Sequence, residues 1–149
     1  MDFSVEQIEF FLNKVDKLFP VPLSEKQNLH EFACKLRNKA TICAKVEYGE
    51  IVSAVCGYTE NVVNKAAYIS IVATIPEAQG KGFASELVLQ FIGIADSRNL
   101  SYVHLYAVPD NIGAIKLYKN LGFKEMILED EPRPQDAHLI YYIKRGLLL

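Results

Sequence analysis

The amino-acid sequence predicts one α/β domain in which helices flank a mixed β-sheet. Stretches whose apolar residues recur every three or four positions, a spacing typical of helices, alternate with short runs of β-branched residues, which are typical of strands. The length of 149 residues corresponds to one domain, and no internal repeat or linker divides it. Half of the residues are hydrophobic and 23% are charged, so the chain can bury a core.

Two helices are predicted at the N-terminus, over roughly residues 4–37. Ser4 is the expected N-cap of the first helix and begins the pattern of a capping box, with apolar residues behind it at helical spacing. Pro20 and Pro22 end this helix, because proline cannot donate the helical hydrogen bond. Ser24 is the expected N-cap of the second helix.

The pattern then changes to that of strands, and the predicted strands cover residues 41–47, 51–58 and 67–74. The first two form a hairpin around a turn at residues 48–50. The third strand contains the apolar residues Ile69, Ile71 and Val72 close together. Such a run predicts a central strand that is buried on both faces.

The second half of the chain predicts two further helices and three strands. One helix carries an apolar stripe over residues 87–95, and the other follows Asn111 and ends at Gly122, which suits a C-cap. The strands are expected at residues 101–107, 123–128 and 138–143.

A loop with two glycines leads from the third strand into the next helix and has the features of an anion site. The first amides of a helix have no acceptor within the helix, and the helix dipole adds partial positive charge there. Gly80 and Gly82 allow the backbone to approach a phosphate closely. Residues 79–84 are therefore a candidate phosphate cradle, with an ordinary turn as the alternative.

Two nucleotide-binding motifs do not fit this loop. A P-loop requires Ser or Thr after its lysine and a glycine further upstream, whereas Lys81 is followed by Gly82. A dinucleotide fingerprint requires glycine at the position of Ser85. The phosphate ligand is therefore of another kind.

Two short motifs occur in order here. Gln79, Gly82 and Ala84 form the pattern Q-x-x-G-x-A. The pattern N-x-x-A-x-x-x-Y-x-x-L-G-F is formed by Asn111, Ala114, Tyr118 and residues 121–123. Together these motifs resemble the acetyl-CoA signature and the following helix motif of the GCN5-related N-acetyltransferase (GNAT) family, and the resemblance covers about residues 41–144.

The resemblance implies a largely antiparallel sheet in which two central parallel strands splay apart, with the pantetheine arm of acetyl-CoA in the gap. The family's first strand is absent from the predicted elements, because the chain opens directly into a helix. Backbone groups of the third strand would pair with the arm, and amides of the glycine loop would hold the pyrophosphate. The implied cofactor-binding positions are Val72, Thr74, Gln79, Gly80, Lys81, Gly82, Phe83, Ala84, Ser85, Asn111 and Tyr118.

The resemblance also implies an acetyl-CoA-dependent N-acetyltransferase that transfers the acetyl group directly to a primary amine. The hydroxyl of Tyr118 would protonate the leaving thiolate as general acid, and the backbone N–H near Thr74 would polarise the thioester carbonyl. The general base stays open, because the third strand carries no carboxylate. The candidates are Tyr68 or Ser70 acting through water, and His104 or His138 acting directly.

The acceptor is expected to be a small amine that binds between the N-terminal helices and the loop at residues 129–136. That loop carries four acidic residues and one arginine, which favours an aminoglycoside, a polyamine or an amino sugar; a solvated acidic turn is the alternative. Tyr48, Tyr58 and Tyr68 are candidate walls of a sugar-sized pocket. Protein or peptide acetylation and a non-catalytic acetyl-CoA-binding module are the alternative functions.

Composition and charge argue against other partners. The formal net charge is −2 without a clustered basic stripe, which argues against nucleic acid. The absence of a signal-like start and of an apolar stretch of ~20 residues predicts a cytoplasmic protein with no membrane span. The cysteines and histidines lack metal-ligand spacing, so no metal is expected. The apolar residues Leu147 to Leu149 favour a homodimer, in which they dock on a second copy; the alternative is that they fold back on the core of their own chain.

Overall fold

The computed structural model describes residues 2–143 of the chain. Within these residues the helices are Val5–Val15 (α1), Leu23–Lys26 (α2), Leu29–Lys39 (α3), Phe83–Ser97 (α4) and Ile112–Leu121 (α5). The strands are Thr41–Glu47 (β1), Glu50–Tyr58 (β2), Ala66–Thr74 (β3), Tyr102–Ala107 (β4), Lys124–Met126 (β5) and Ala137–Tyr142 (β6). The predicted order of elements is confirmed, and no strand precedes α1 in the described part of the chain.

The six strands form one mixed sheet in the order β1-β2-β3-β4-β6-β5. All neighbouring strands pair antiparallel except β3 and β4, which are parallel. The parallel pairing ends at Tyr68 and His104, beyond which the two strands diverge. The predicted sheet, largely antiparallel with a splayed central parallel pair, is therefore confirmed.

Helices cover both faces of the sheet and enclose two hydrophobic cores. In the first core, α1 and α3 pack Leu12 and Leu36 against residues of β2 such as Val52. In the second core, α4 packs Phe91 and Val88 against β2, β3 and β4. The region of the sheet where β3 and β4 diverge lies between these two cores.

A β-bulge in β3 lets this strand contribute to both cores. Ile71 pairs with Cys56, but the next partner, Gly57, faces Ile69, so Ser70 has no partner in β2. An extra residue in one strand reverses which face the following side chains occupy. Accordingly, Ile71 belongs to the core under α1 and α3, whereas Ile69 belongs to the core under α4. The predicted burial on both faces is confirmed for these two residues, while Ser70 is exposed.

The helix caps agree with prediction except at one position. Ser4 forms a full capping box, and Gly122 ends α5 in the left-handed conformation with φ of 109°. Ser24 does not cap the second long helix. It lies inside the one-turn helix α2, where its hydroxyl donates to Asp16 over 2.6 Å. The cap of α3 is Asn28, whose side chain accepts from the amide of Glu31 over 2.9 Å, because the chain leaves helical geometry after α2 and needs a new cap.

The last two strands differ from their predicted bounds. β5 is shorter than the predicted range 123–128, and β6 begins and ends one residue before the predicted range 138–143. β5 begins at Lys124 and has three residues, because the amide of Phe123 still donates to Tyr118 O at the end of α5 over 3.0 Å.

No helix among residues 2–143 is long and apolar enough to cross a membrane. The residues Leu147 to Leu149, on which the homodimer prediction rests, lie outside the described residues.

Candidate active site

Two adjoining pockets occupy the gap between the diverging strands. The loop pocket lies beside the N-terminus of α4 and is lined by residues of β3, the glycine loop and α5. The aromatic pocket lies on the other side, where Phe19, Phe32, Tyr68 and Tyr106 form much of its wall. The two pockets share the residues Val72, Ala114 and Tyr118. A ligand bound in one pocket can therefore meet a ligand bound in the other beside Tyr118.

Backbone groups of β3 face the loop pocket. The amide of Ile75 donates to the carbonyl of Val52 in β2 over 2.9 Å. Because backbone groups alternate in direction along a strand, those of Val72 and Thr74 point away from β2, towards the open gap. The carbonyl of Thr74 accepts from the side-chain amide of Gln79 over 3.1 Å, and this bond fixes the start of the glycine loop against the strand.

The glycine loop presents a row of unpaired amides to the loop pocket. Gly80 and Gly82 have φ of 81° and 80°, the left-handed conformation that favours glycine. From Gly80 to Ser85, no backbone amide donates to an acceptor within residues 2–143; the first helical bond runs from Glu86 to Gly82. These amides and the positive end of the α4 dipole fit the oxygens of a pyrophosphate.

Most of the predicted cofactor-binding residues come together in the loop pocket, namely Val72, Thr74, Gln79, Gly80, Gly82, Phe83, Ala84, Ser85 and Tyr118. Lys81 does not line it; its ammonium lies over the Phe83 ring, 6.0 Å from the ring centroid. Asn111 lines the aromatic pocket instead, and its side chain caps α5 by accepting from the Ala114 amide over 3.3 Å. Asn111 is thus the N-cap of α5, the helix that was predicted to follow it.

Tyr118 stands where the two pockets meet. It is 7% exposed and packs against Phe123, with ring centroids 5.7 Å apart. Burial raises the pKa of its hydroxyl well above the ordinary value, so the phenol is protonated throughout the neutral range. Within the described residues, no hydrogen bond engages this hydroxyl. The group is therefore free to donate to an atom in either pocket.

The aromatic pocket is not strongly acidic, contrary to the expectation from the loop at residues 129–136. Of the acidic residues of that loop, only Asp136 lines the pocket, together with the cations Lys26 and Arg133. The guanidinium of Arg133 lies over the Tyr106 ring, 5.3 Å from its centroid. Glu131 turns inward: its side chain is 8% exposed and accepts from the Tyr106 hydroxyl over 2.7 Å.

The open candidates for the general base occupy different places. Tyr68 and Ser70 line the aromatic pocket. His104 and His138 lie behind it, joined to each other by a hydrogen bond of 2.9 Å between Nδ1 of His104 and Nε2 of His138. Sequence reasoning missed Tyr106, although its alternation with His104 along one strand places both on the same face.

The three tyrosines that were candidates for the walls of a sugar-sized pocket lie in different places. Tyr68 lines the aromatic pocket as predicted, whereas Tyr48 is fully exposed in the β1–β2 turn. Tyr58 lines neither pocket and lies beneath the ammonium of Lys35, which is 5.7 Å from its ring centroid.

No group of three or more histidine, cysteine or acidic side chains among residues 2–143 has the arrangement of a metal site.

Comparison with known proteins identifies related sequences. The model of the acetyltransferase (GNAT) family matches residues 8–123. Mycothiol acetyltransferase of Renibacterium salmoninarum is 40% identical over 55 residues, which are 37% of this chain and 16% of that protein. The chain thus spans only about a sixth of the length of this curated relative.

Solved structures share the whole fold at low sequence identity. The structure of aminoglycoside 6'-acetyltransferase type Ii has a TM-score of 0.75 and 13% identity, with 98% of each chain covered. The ribosomal-protein-S18-alanine N-acetyltransferase from Escherichia coli has a TM-score of 0.73 and 18% identity, covering 100% of this chain and 96% of that one. Proteins named for a small-molecule acceptor and for a protein acceptor are thus similar to this chain to the same degree.

Proposed function

The chain belongs to the GNAT acetyltransferase family, and we propose that it transfers the acetyl group of acetyl-CoA to a primary amine of a small acceptor. The observation that carries this proposal is the continuity of the loop pocket. It runs from the unpaired amides at the start of α4, along the free backbone edge of Val72 and Thr74, to the hydroxyl of Tyr118. Pyrophosphate, pantetheine and thioester of acetyl-CoA follow one another in the same order.

Different residues of the chain would bind the pyrophosphate, polarise the thioester carbonyl and protonate the leaving thiolate. The amides from Gly80 to Ser85 hold the pyrophosphate without a cationic side chain. The N–H of Thr74 polarises the thioester carbonyl, and the Tyr118 hydroxyl gives its proton to the departing thiolate sulfur. The raised pKa of Tyr118 means that the phenol carries its proton before the reaction begins. Acetyl-CoA is a cosubstrate here, and no metal takes part in the proposed reaction.

The composition of the aromatic pocket supports an amino sugar with one amino group over a polyamine or an aminoglycoside. Both of the latter carry several positive charges, whereas the described lining of this pocket has one carboxylate, Asp136, beside the cations Lys26 and Arg133. The rings of Tyr68 and Tyr106 offer flat surfaces and hydroxyl groups, which suit a sugar. We therefore place a sugar-sized acceptor with a single amino group in this pocket.

Calorimetry tests cofactor binding first. Titration with acetyl-CoA, with coenzyme A and ATP as comparators, should give micromolar binding of acetyl-CoA and none of ATP. Folded protein that does not bind acetyl-CoA would contradict the proposal.

An acceptor screen then tests the substrate class. Glucosamine, kanamycin, spermidine and a lysine-containing peptide are each incubated with acetyl-CoA from pH 6 to 9, and release of coenzyme A is followed. Turnover of glucosamine is expected, and turnover of kanamycin or spermidine in its place would contradict the charge argument. Turnover of the peptide alone would favour protein acetylation. Tight cofactor binding without any turnover would favour a non-catalytic binding module.

A further inference from the structure

Four polar side chains form a hydrogen-bonded chain behind the aromatic pocket. Nδ1 of His104 lies 2.9 Å from Nε2 of His138, and Nδ1 of His138 lies 3.0 Å from Oε2 of Glu131. Oε1 of Glu131 accepts from the hydroxyl of Tyr106 over 2.7 Å. His138 and Glu131 are buried, with side chains 4% and 8% exposed. The reaction steps described above use none of these groups.

The carboxylate of Glu131, between His138 and Tyr106, determines where the protons of this chain lie. Hydrogen bonds from the Tyr106 hydroxyl, His138 and the Leu128 amide lower the pKa of Glu131, so it is ionised and can only accept. When both rings are neutral, His138 donates from Nδ1 to Glu131 and accepts at Nε2. His104 must in turn donate from Nδ1, which leaves a lone pair on its Nε2. The tautomers of both histidines follow from one carboxylate.

The free nitrogen of His104 is accessible. Nε2 of His104 makes no hydrogen bond within residues 2–143, and no buried side-chain nitrogen or oxygen there lacks a partner. Nε2 therefore reaches solvent. His104 also sits opposite Tyr68 at the last paired position before β3 and β4 diverge, with ring centroids 5.1 Å apart, and Tyr68 lines the aromatic pocket.

We propose that Nε2 of His104 takes a proton from the acceptor amine through a water molecule at Tyr68, while His138 and Glu131 are positioning residues that hold the ring of His104 and its tautomer. This inference rests on the proposed acetyl transfer and supplies the base that β3 lacks. His138 and Glu131 hold the ring and its tautomer in the way that the carboxylate of a catalytic triad orients its histidine.

The step balances with the groups named. The acceptor ammonium gives one proton through water to His104 Nε2, and this proton passes to solvent. The neutral amine then forms a C–N bond with the acetyl carbon as the C–S bond breaks. The sulfur takes the proton of the Tyr118 hydroxyl. The amine nitrogen then loses a second proton, which returns the Tyr118 phenolate to its protonated form. One proton is released per acetyl group transferred.

Several titratable groups surround His104 and set its charge. Tyr68 faces it from β3, Tyr102 and Tyr106 flank it on β4, and His138 lies opposite on β6, with Glu131 behind. Burial and the neighbouring His138 lower the pKa of His104 to about 4. The imidazole is thus neutral at pH 6 to 9 and keeps the lone pair on Nε2, although it is a weaker base than a free imidazole.

Replacement of His104 tests the inference. His104→Gln should lower kcat about 10²-fold for the amine that turns over in the acceptor screen, while acetyl-CoA affinity measured by calorimetry stays unchanged. Added imidazole should restore part of the rate to His104→Ala. The matched control is His30→Gln, which should keep full kcat because the His30 side chain is exposed on the surface of α3. Full activity of folded His104→Gln would overturn the assignment and leave the proposed transferase function intact.

Two further measurements keep the inference testable if His104 variants fail to fold. Glu131→Gln retains both rings but weakens their orientation, so kcat should fall while the KM for acetyl-CoA holds. Nitrogen NMR of the wild-type protein at pH 7 should show the His104 proton on Nδ1 and none on Nε2. The opposite tautomer would contradict the proposal without any activity measurement. Absence of turnover by wild-type protein would instead refute the proposed function.

Discussion

His104 should make the protein less stable in mild acid, and the size of the effect can be worked out from its surroundings. Its pKa falls from 6.5 to about 4 because burial and His138 disfavour the charged ring. Each pKa unit corresponds to about 1.36 kcal/mol, so the difference amounts to about 3 kcal/mol at most. Because the ring is partly exposed, solvent screening reduces the expected value to about 2 kcal/mol.

The direction of the effect follows from proton binding. Between pH 6.5 and about 4 the unfolded chain binds a proton at this histidine and the folded protein does not. The free energy of unfolding therefore falls as pH decreases through this window, and the contribution of His104 is fully present above pH 6.5. His104→Gln removes this contribution, so the variant should lose less stability than the wild type over the same range.

Urea unfolding at pH 4.5, 5.5, 6.5 and 7.5 measures the difference between wild type and variant at each pH. Comparison at equal pH cancels the contribution of the carboxylates, including Glu131 and Asp16, whose pKa values are lowered in the fold. His30→Gln is the control of opposite sign, because the Glu9 hydrogen bond raises the pKa of His30 and its stabilisation is present at low pH and lost as pH rises. Equal pH dependence of His104→Gln and wild type would refute the reasoning.

Four further predictions concern the loop pocket, the sheet and α4. Tyr118→Phe should lower kcat about 10²-fold with acetyl-CoA affinity nearly unchanged. Steady-state kinetics measures kcat, and an unchanged kcat would rule out the acid role of Tyr118. Gly82→Glu should abolish acetyl-CoA binding in calorimetry, since it places a negative charge among the amides, whereas Gly82→Ala should retain part of it. Gly57→Ala should destabilise the fold by about 1–3 kcal/mol or more, because the added Cβ would clash with the backbone carbonyl of Tyr68 and lie 2.7 Å from the Phe91 ring. Gly93→Ala, in open space on α4, should instead stabilise by about 0.5–1 kcal/mol in the same urea titration.

Features that depend on neighbouring residues in the chain could be predicted from the sequence. The capping box at Ser4, the C-cap at Gly122 and the glycine loop each follow from a short pattern whose physical cause is local. The resemblance to a known family added the splayed strands and the position of Tyr118 in the gap. The loop pocket, with its unpaired amides, agrees closely with these expectations.

Features that depend on tertiary contacts could not be predicted in this way. The capping role of Asn28 requires that α2 stop after one turn, and no local signal separates it from a continuous helix beginning at Ser24. The acidic appearance of residues 129–136 is misleading, because Glu131 meets His138 and Tyr106 from distant positions of the chain and turns away from the pocket. Composition of a loop does not reveal which of its charges reach the ligand.

The bulge at Ser70 explains how one strand serves two cores and two pockets. Without the extra residue, Ile69 and Ile71 would lie on the same face, and one of the two cores would lose a buried isoleucine from the centre of the sheet. The same reversal places Tyr68 in the aromatic pocket, while the backbone of Val72 and Thr74 faces the loop pocket. A one-residue irregularity therefore sets groups of the aromatic pocket and of the loop pocket on opposite sides of Ser70. Because parallel pairing also ends at Tyr68, the gap between β3 and β4 opens at the bulge, where the two pockets adjoin.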